Sequence, residues 1–413
     1  MSRQQITIPL DIADVDVLEV EYRGGAYHIK LESSLEYAYC RKCGQKITAL
    51  HERDEWVKVQ HLPILDRAVF VYYRPKRYRC PNCEGGPTTT QRLSWHEPNS
   101  PHTVAYDRYL LRALVNSTVE DVTHKEPVSY DSMVGVLDRC VAAQVEWTRY
   151  SDLNVLGIDE IALKKGQRDY VVIVSARLKD GTLAVLGVLP DRSQATVRGF
   201  LESIPTPLRD TINTTCSDLY DSYLQAVRAS LPHARLVIDR FHVARLYREA
   251  ADSLRKAEMK RLKRTLSAEV YRTLKGALWA FRKRPVDLLS EQRAVLNRLF
   301  ALAPALKVAY TLREDLTHLF DTTPAKNKAK RLLRDWQAKV RASGVACFDK
   351  FLRTLDRFWN EITNYFVDFH TSGFVEGLNN KLKVLKRRCY GLFNLHHLFQ
   401  RIFLDLEGYR LFS

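Results

Sequence analysis

The sequence lacks any apolar run approaching the ~18 residues that a membrane-spanning helix requires, which excludes a protein built from such helices. Its first residues also lack the basic-then-apolar pattern of a secretory signal peptide, so we expect a cytoplasmic protein with no membrane partner. No internal repeat or low-complexity tract is evident. With 413 residues, of which 46% are apolar, the chain is long enough for two to four globular folding units.

An excess of Lys and Arg over Asp and Glu is absent from the first 242 residues and present in the rest. Residues 1–242 hold 30 Lys and Arg against 31 Asp and Glu, whereas residues 243–370 hold 27 against 14 and residues 371–413 hold 7 against 3. The formal net charge of +16 therefore lies in the C-terminal part. A concentrated basic region favours a polyanionic partner, most simply nucleic acid. The alternative is a solvated basic helical surface that has no partner.

Cysteines are few, but half of the 8 form two CxxC pairs. Cys40 and Cys43 lie in CRKCGQ, and Cys80 and Cys83 lie in CPNCEGG, each with a glycine close behind that can take the positive φ of a tight turn. In a reducing cytosol such pairs favour metal over disulfides, and four thiolates complete a structural Zn2+ site. The long spacing between the pairs predicts one or two intervening hairpins. Four free thiols, or two redox motifs, fit less well.

The first 150 residues change pattern once. Residues 1–100 have the composition of short strands and loops, and residues 103–147 have helical apolar spacing. Pro127 ends a short helix, and Ser129 is a good N-cap for the longer helix that begins near Tyr130. Short helix, tight turn and longer helix favour a helix-turn-helix that binds DNA. A helical linker without DNA contacts is the alternative.

From residue 151 the pattern predicts a mixed α/β sheet. Strand and helix patterns follow in the order β-β-β-α-β-α-β, and the Asp-Gly between the second and third strands suits a hairpin. An antiparallel hairpin region followed by crossover units, with helices on the sheet faces, is therefore expected. Residues 243–370 have helical spacing and dense Lys and Arg, which predicts an almost wholly helical basic segment.

Three acids occupy positions that hydrophobic packing does not explain. Asp159 and Asp218 follow predicted strands, and Glu376 opens a predicted helix. Strand ends of an α/β sheet gather at a common crevice, where three carboxylates repel one another unless cations offset their charge. Oxygen ligands suit Mg2+ or Mn2+, and a pair of such ions is the machinery of phosphodiester cleavage and transfer. Cys216 is not expected to be a nucleophile, because no paired base accompanies it.

The segment Thr371–Gly391 carries one acid, Glu376, ahead of many cations. A helix over residues 373–388 places Glu376, Asn380, Lys383 and Arg387 on one polar face, beside an apolar stripe. That face presents an acid for metal, then an amide and cations for phosphate. An ordinary amphipathic surface helix is the alternative, and the two strand-end aspartates weigh against it.

The stretches GIDEIALKKG, CSDLYDSY, VIDRFHV and GFVEGLNNKLKVLKRRCYG resemble the DDE transposases of bacterial insertion sequences, of the IS-L-three type. The resemblance covers nearly the whole chain. It implies a ribonuclease-H-like core with a helical insertion between the second Asp and the Glu. It also implies that Asp159, Asp218 and Glu376 are the catalytic, Mg2+-binding (or Mn2+-binding) triad. Asp239 and His242 resemble a supporting D-x-x-H element, and Asp239 in place of Asp218 stays open.

The resemblance implies cleavage and strand transfer on double-stranded DNA, both the terminal repeats and the target, by a homodimer or larger synaptic assembly. Asn380 is expected to support the site. The candidate DNA-contacting residues are Lys383, Lys386, Arg387, Arg388, Ser129 and Tyr130. A catalytically inactive zinc and helix-turn-helix regulator, or a structure-specific nuclease on the same core, are the alternative functions.

The expected fold class is thus multidomain α/β. The expected domains are a β-rich zinc module (1–100), a helix-turn-helix region (101–150), a first part of the catalytic core (151–242), a helical basic insertion (243–370) and C-terminal core helices that carry Glu376 (371–413).

Overall fold

The computed structural model describes residues 7–162, 170–368, 373–389 and 394–412. The chain divides into two compact units, Met1–Ala143 with Gln400–Ser413, and Gln144–Phe399. Among the described helices, none combines the length and the apolar character that crossing a lipid bilayer takes.

Short strands build most of the first unit. Val69, Val71 and Tyr73 are buried at alternate positions of one strand, because successive side chains of a strand point to opposite faces. The strands are β1 (Val15–Arg23), β2 (Ala26–Ser33), β3 (Ala38–Tyr39), β4 (Lys46–Ile47), β5 (Ala49–Arg53), β6 (Val57–Ile64), β7 (Arg67–Tyr73), β8 (Lys76–Arg79) and β9 (Thr88–Thr90). A four-stranded sheet has the order β1-β2-β7-β6, a three-stranded sheet has the order β5-β8-β9, and β3 pairs with β4.

Three capped helices complete the first unit: α1 (Val104–Leu114), α2 (Val119–Lys125) and α3 (Tyr130–Cys140). The hydroxyls of Thr103, Thr118 and Ser129 accept backbone N–H bonds at the three N-termini. The predicted apolar stripe of α1 is buried against α3, and this confirms the helical periodicity. The predicted order of short helix, turn at Pro127 and longer helix is also observed.

The C-terminal residues are divided differently from the expected 371–413 segment. From Gln400 onward they belong to the first unit, because Leu404 is buried in the core of α1 and α3. Gln400 Nε2 donates to the carbonyl of Val141 at 2.9 Å, and the Asn116 N–H donates to Asp405 at 2.9 Å.

The second unit is built on a five-stranded sheet with the order β12-β11-β10-β13-β14. β10, β11 and β12 pair antiparallel in succession. β13 pairs parallel with β10, and β14 pairs parallel with β13. The predicted hairpin turn is present, with Gly181 at φ 86°. The elements are β10 (Val155–Ala162), β11 (Tyr170–Arg177), β12 (Leu183–Leu189), α4 (Gln194–Ser203), α5 (Thr206–Arg209), β13 (Thr214–Ser217), α6 (Asp221–Ser230) and β14 (Arg235–Ile238).

The remainder of the second unit is helical where the structure describes it, as the apolar spacing predicted. Pro304 occupies the first turn of one helix, where its missing N–H costs nothing. The helices are α7 (Arg240–Thr265), α8 (Ala268–Arg272), α9 (Ala277–Arg282), α10 (Ser290–Leu302), α11 (Pro304–Thr322), α12 (Lys326–Ala342), α13 (Asp349–Arg357), α14 (Trp359–Thr363), α15 (Tyr365–Asp368) and α16 (Gly373–Arg388). The last helix, α17 (Leu395–Phe412), begins in the second unit and belongs to the first unit from Gln400 onward.

Candidate functional site

The register of three parallel strands brings three aspartates to one level. β10 and β13 pair up to Ile158 opposite Ser217, and β13 and β14 pair up to Ser217 opposite Ile238. The next residues along the three strands are Asp159, Asp218 and Asp239. Neighbouring strands lie about 4.8 Å apart, so these three backbones stand side by side within about 10 Å.

One expectation about Asp159 is wrong. The strand does not end at the acid, because β11 continues to pair with β10 from Ile173 opposite Asp159 to Tyr170 opposite Ala162. What ends before Asp159 is only the parallel pairing with β13. The hairpin therefore holds Asp159 more firmly than a loop at a strand end would.

Asp218, Asp239 and His242 form a cluster. His242 Nδ1 and Asp218 Oδ1 are 2.6 Å apart, and one ligand atom from each of the three residues lies within 4.8 Å of the others. Asp239 is buried and caps α7, since its carboxylate accepts the N–H of Phe241 at 2.9 Å. Its own N–H donates to the carbonyl of Ser217 at 3.0 Å. The D-x-x-H element therefore lies beside Asp218, where it can orient that carboxylate or join it in holding a metal ion.

The pKa shifts of Asp159 and of His242 show an excess of negative charge around these residues. Burial, and then the neighbouring charge of Asp218, raise the pKa of the Asp159 carboxyl to about 7. Burial alone would lower the pKa of His242, but its hydrogen bond to Asp218 and the charge of that carboxylate outweigh burial and raise it. A divalent cation would relieve the same repulsion, so the residues present fit such an ion.

Two acids that lie close in sequence to Asp159 and Asp218 have other partners. Strand alternation directs Glu160 away from Asp159, and Arg192 Nη1 and the Tyr223 hydroxyl both lie 3.3 Å from its Oε2. Asp221 accepts from Arg357 Nη2 at 3.0 Å. Cys216 is buried in the sheet, and burial raises the pKa of its thiol to about 12, which does not suit a nucleophile.

The predicted helix over residues 373–388 is confirmed as α16. Leu378, Leu382 and Leu385 are buried, as the apolar stripe predicted. Glu376 lies on this helix, but its side chain is outside the described residues, so its approach to the aspartates stays a prediction. The Lys386 ammonium donates to the carbonyl of Ala162, which fastens α16 to the end of β10.

The candidate DNA-contacting side chains differ in how free they are. Asn380, Lys383 and Arg387 are exposed on α16, whereas Lys386 and Arg388 are half-buried. Tyr130 is 55% exposed at the start of α3. The Ser129 hydroxyl accepts the N–H of Ser132 at 3.1 Å, so it already serves as the helix cap.

The four paired cysteines converge in the first unit. Cys40 Sγ lies 3.9 Å from Cys83 Sγ, and Cys43 Sγ lies 3.8 Å from Cys80 Sγ. Metal–sulfur bonds of about 2.3 Å in a tetrahedron place sulfur atoms about 3.8 Å apart, whereas a disulfide needs about 2.05 Å. The four thiols therefore fit one tetrahedral metal ion and not two disulfides.

Two turns of similar form present these thiols. Gly44 and Gly85 have φ of 69° and 79°, as the glycine after each pair predicted. Backbone N–H groups of Cys43 and Lys42 lower the pKa of the Cys40 thiol to about 6. The adjoining Cys43 thiol, together with burial, raises the pKa of Cys83 to about 12. Four thiolates therefore need a cation between them. The intervening segment contains the β6–β7 hairpin, as its length predicted.

Phe241, to which no sequence pattern assigned a role, lies between Asp239 and His242 and is 49% exposed. No local pattern indicates that this ring faces solvent, so sequence reasoning missed it. A helical periodicity count from Asp239 shows that Phe241 and Arg245 share a face.

One family model matches more than half of this chain, and two curated relatives are transposases. The family model of ISL3 (IS-L-three) type DDE transposases, described as "Transposase", matches residues 156–402. The transposase for insertion sequence element IS1001 of Bordetella parapertussis is 28% identical over 388 residues, which are 93% of each chain. The transposase for IS1557 of Mycobacterium tuberculosis is 25% identical, over 90% of this chain and 86% of that one. The Drosophila P element transposase strand transfer complex matches with a TM-score of 0.40 at 11% identity, over 78% of this chain and 94% of that one.

Proposed function

We propose a catalytic site for this chain, which belongs to the ISL3 type of DDE transposases and is therefore a polynucleotidyl transferase. In this proposal Asp159, Asp218 and Glu376 hold the catalytic divalent cations. The register of the three parallel strands carries this proposal. It sets Asp159 and Asp218 on adjacent strands at one level, so that two distant segments supply neighbouring carboxylates. Burial, and then the charge of Asp218, raise the pKa of Asp159 to about 7, and a bound cation would offset both effects.

The fold proposed for the second unit is ribonuclease-H-like. Support comes from the sheet order, in which three antiparallel strands are followed by two parallel ones, with α7–α15 between the second aspartate and Glu376. The domain limits 1–100, 101–150, 151–242, 243–370 and 371–413 stay part of this proposal, although residues 1–143 form one compact unit with the residues from Gln400 onward.

Each described residue of the site has a distinct task in this proposal. Asp159 and Asp218 are the metal ligands on the sheet, and His242 orients the Asp218 carboxylate through its 2.6 Å contact. Asp239 holds the first turn of α7 against the sheet. Mg2+ or Mn2+, when bound, activates the attacking oxygen and stabilises the leaving one. Both hydrolysis of the DNA end and attack by the resulting 3′-hydroxyl replace one P–O bond by another, so one site serves both.

DNA contacts are proposed on two surfaces. Lys383 and Arg387 extend from the helix that carries Glu376, and the helical segment 243–370 carries 27 Lys and Arg against 14 Asp and Glu. Such phosphate contacts position the duplex without reading its sequence. We assign recognition of the terminal repeats to the Zn2+-binding module and to α2 and α3, with Tyr130 exposed for contact. A homodimer or larger assembly would pair two element ends.

The test is divalent-metal-dependent cleavage of a DNA end by wild type, Asp159→Asn and Asp210→Asn. Asp210 is an exposed aspartate of the same unit, after α5, and serves as the matched control. We expect Asp159→Asn to lose cleavage and strand transfer while Asp210→Asn keeps both. Equal activity of Asp159→Asn and wild type would remove Asp159 from the mechanism. If wild type cleaves DNA but does not join a pre-cut 3′-hydroxyl end, the protein is a nuclease. If wild type neither cleaves nor joins DNA, the protein is a regulator.

A further inference from the structure

A cavity of about 340 Å³ lies along α7, and Phe241, which lines it, is the neighbour of His242 in sequence. The residues of α7 that line it are Phe241, Arg245, Arg248, Glu249 and Asp252. Four of these five recur at intervals of three and four, so they form one face of that helix, and Glu249 lies next to this face. Because Asp239 caps the same helix, this face starts at the proposed catalytic site and leads away from it.

An exposed aromatic ring stands at the near end of the cavity. Phe241 is 49% exposed, and its ring centroid is 5.8 Å from that of His242, which contacts Asp218. Its backbone N–H is already used by the Asp239 carboxylate. Because about half of the side chain is exposed, it contributes little to the core, and its ring is available to a flat apolar ligand close to the aspartates.

Two arginines follow Phe241 along the cavity. Arg245 and Arg248 are exposed, and neither guanidinium has a carboxylate partner within the part of the chain that the structure describes. At 1.5 Å per residue they lie about 6 and 10 Å beyond Phe241 along the helix axis. In contrast, Arg282 already pairs with Asp252 at 2.9 Å. Glu249 and Asp252 also line the cavity, but four arginines line it in all, so the charge of its lining is net positive.

We infer that this cavity receives an unpaired nucleotide of the DNA strand next to the reacting phosphate, with its base stacked on Phe241 and its neighbouring phosphates on Arg245 and Arg248. This inference rests on the proposed function, because it places the nucleotide relative to the same site. Single-stranded nucleic acid is bound by aromatic platforms beside basic grooves. A base inside a duplex has both faces covered by its neighbours, so an isolated ring at the surface selects an unpaired one.

The experiment measures binding and not catalysis. A fluorescein-labelled twelve-nucleotide oligothymidine and a duplex of the same length are titrated with protein in buffer without added Mg2+ or Mn2+. The variants are Phe241→Ala, Phe241→Trp and the matched control Trp279→Ala, since Trp279 is 64% exposed in the same unit and does not line the cavity. We expect Phe241→Ala to weaken oligothymidine binding roughly 5- to 150-fold, Phe241→Trp to restore it, and Trp279→Ala to change little.

A second readout concerns the phosphates. Replacing Arg245 and Arg248 by Ala should reduce the slope of log K against log salt by about 0.7 for each phosphate of the single strand that these arginines neutralise. Unchanged oligothymidine affinity in Phe241→Ala, or an equal loss with the duplex, would overturn the inference. A failure of the proposed function appears separately, as cleavage by Asp159→Asn, and leaves this metal-independent binding result as it stands.

Discussion

Removing one ligand of the cysteine cluster should unfold the module around it. The change is Cys80→Ser, because Cys80 is fully buried and its Sγ lies 3.8 Å from that of Cys43. The apolar core that surrounds the four thiols is small. Its other buried members are Ala38, Ile47 and Tyr78.

The magnitude follows from this small core. Burial of two large side chains and one alanine stabilises by at most about 6 kcal/mol, while ordering each residue costs about 1–2 kcal/mol. A structural Zn2+ site supplies about 10–16 kcal/mol of binding free energy near pH 7. The segment that contains β3, β4, β8 and β9 therefore depends on the metal, and three thiols without the fourth hold it poorly.

Metal content and proteolysis measure the outcome. We expect wild type to contain one zinc per chain by plasma mass spectrometry and Cys80→Ser to contain almost none. Trypsin should then cut the variant rapidly at Lys42, Lys46 and Arg79. The control is Cys140→Ser, an exposed cysteine of the same unit. A Cys80→Ser protein that keeps its zinc and resists trypsin as wild type does would refute this reasoning.

Three further predictions follow from other parts of the molecule. First, the Asp159 pKa of about 7 exceeds the pKa of the same group in the unfolded chain. Metal-free wild type should therefore lose stability relative to Asp159→Asn as pH rises from about 4 through 7. Thermal midpoints of the two proteins that differ by the same amount at pH 5 and pH 8 would contradict this. Second, Lys383→Ala with Arg387→Ala should weaken duplex binding and reduce its salt slope by about 0.9 for each phosphate that these side chains neutralise. The control Lys179→Ala, exposed in the same unit but outside both proposed DNA surfaces, should leave the slope unchanged. Third, Gly187→Ala places a Cβ 2.6 Å from the Phe200 ring and should lower the free energy of unfolding by about 1–3 kcal/mol. The control Gly199→Ala, whose Cβ meets nothing within 4 Å, should not lower it. Equal thermal midpoints of the two variants would contradict this.

Local patterns predicted much of the fold because they depend on neighbours in sequence. The α16 limits follow from the spacing of Leu378, Leu382 and Leu385, and the start of α3 follows from the Ser129 cap. The two CxxC turns follow from cysteine spacing and the glycines behind them. The approach of Asp159 to Asp218 was predicted by analogy with other α/β sheets, and the parallel register supports it.

Other features depended on partners distant in sequence. The β10 strand extends past Asp159 because β11 continues to pair with it, and no local pattern announces where a neighbouring strand stops. The residues after Gln400 belong to the first unit because Leu404 finds a core made by α1 and α3.

The helices, the turns, the cysteine pairs and the family resemblance could be predicted from the order of the amino acids, since each depends on residues close together or on motifs quoted whole. The folded chain was needed to show that Glu160 turns away to Arg192, that Lys386 fastens α16 to β10, and that Phe241 faces solvent. The two groups differ because strand register, burial and ion pairing are set by which segments meet, and a chain's local preferences do not state where its distant parts will lie.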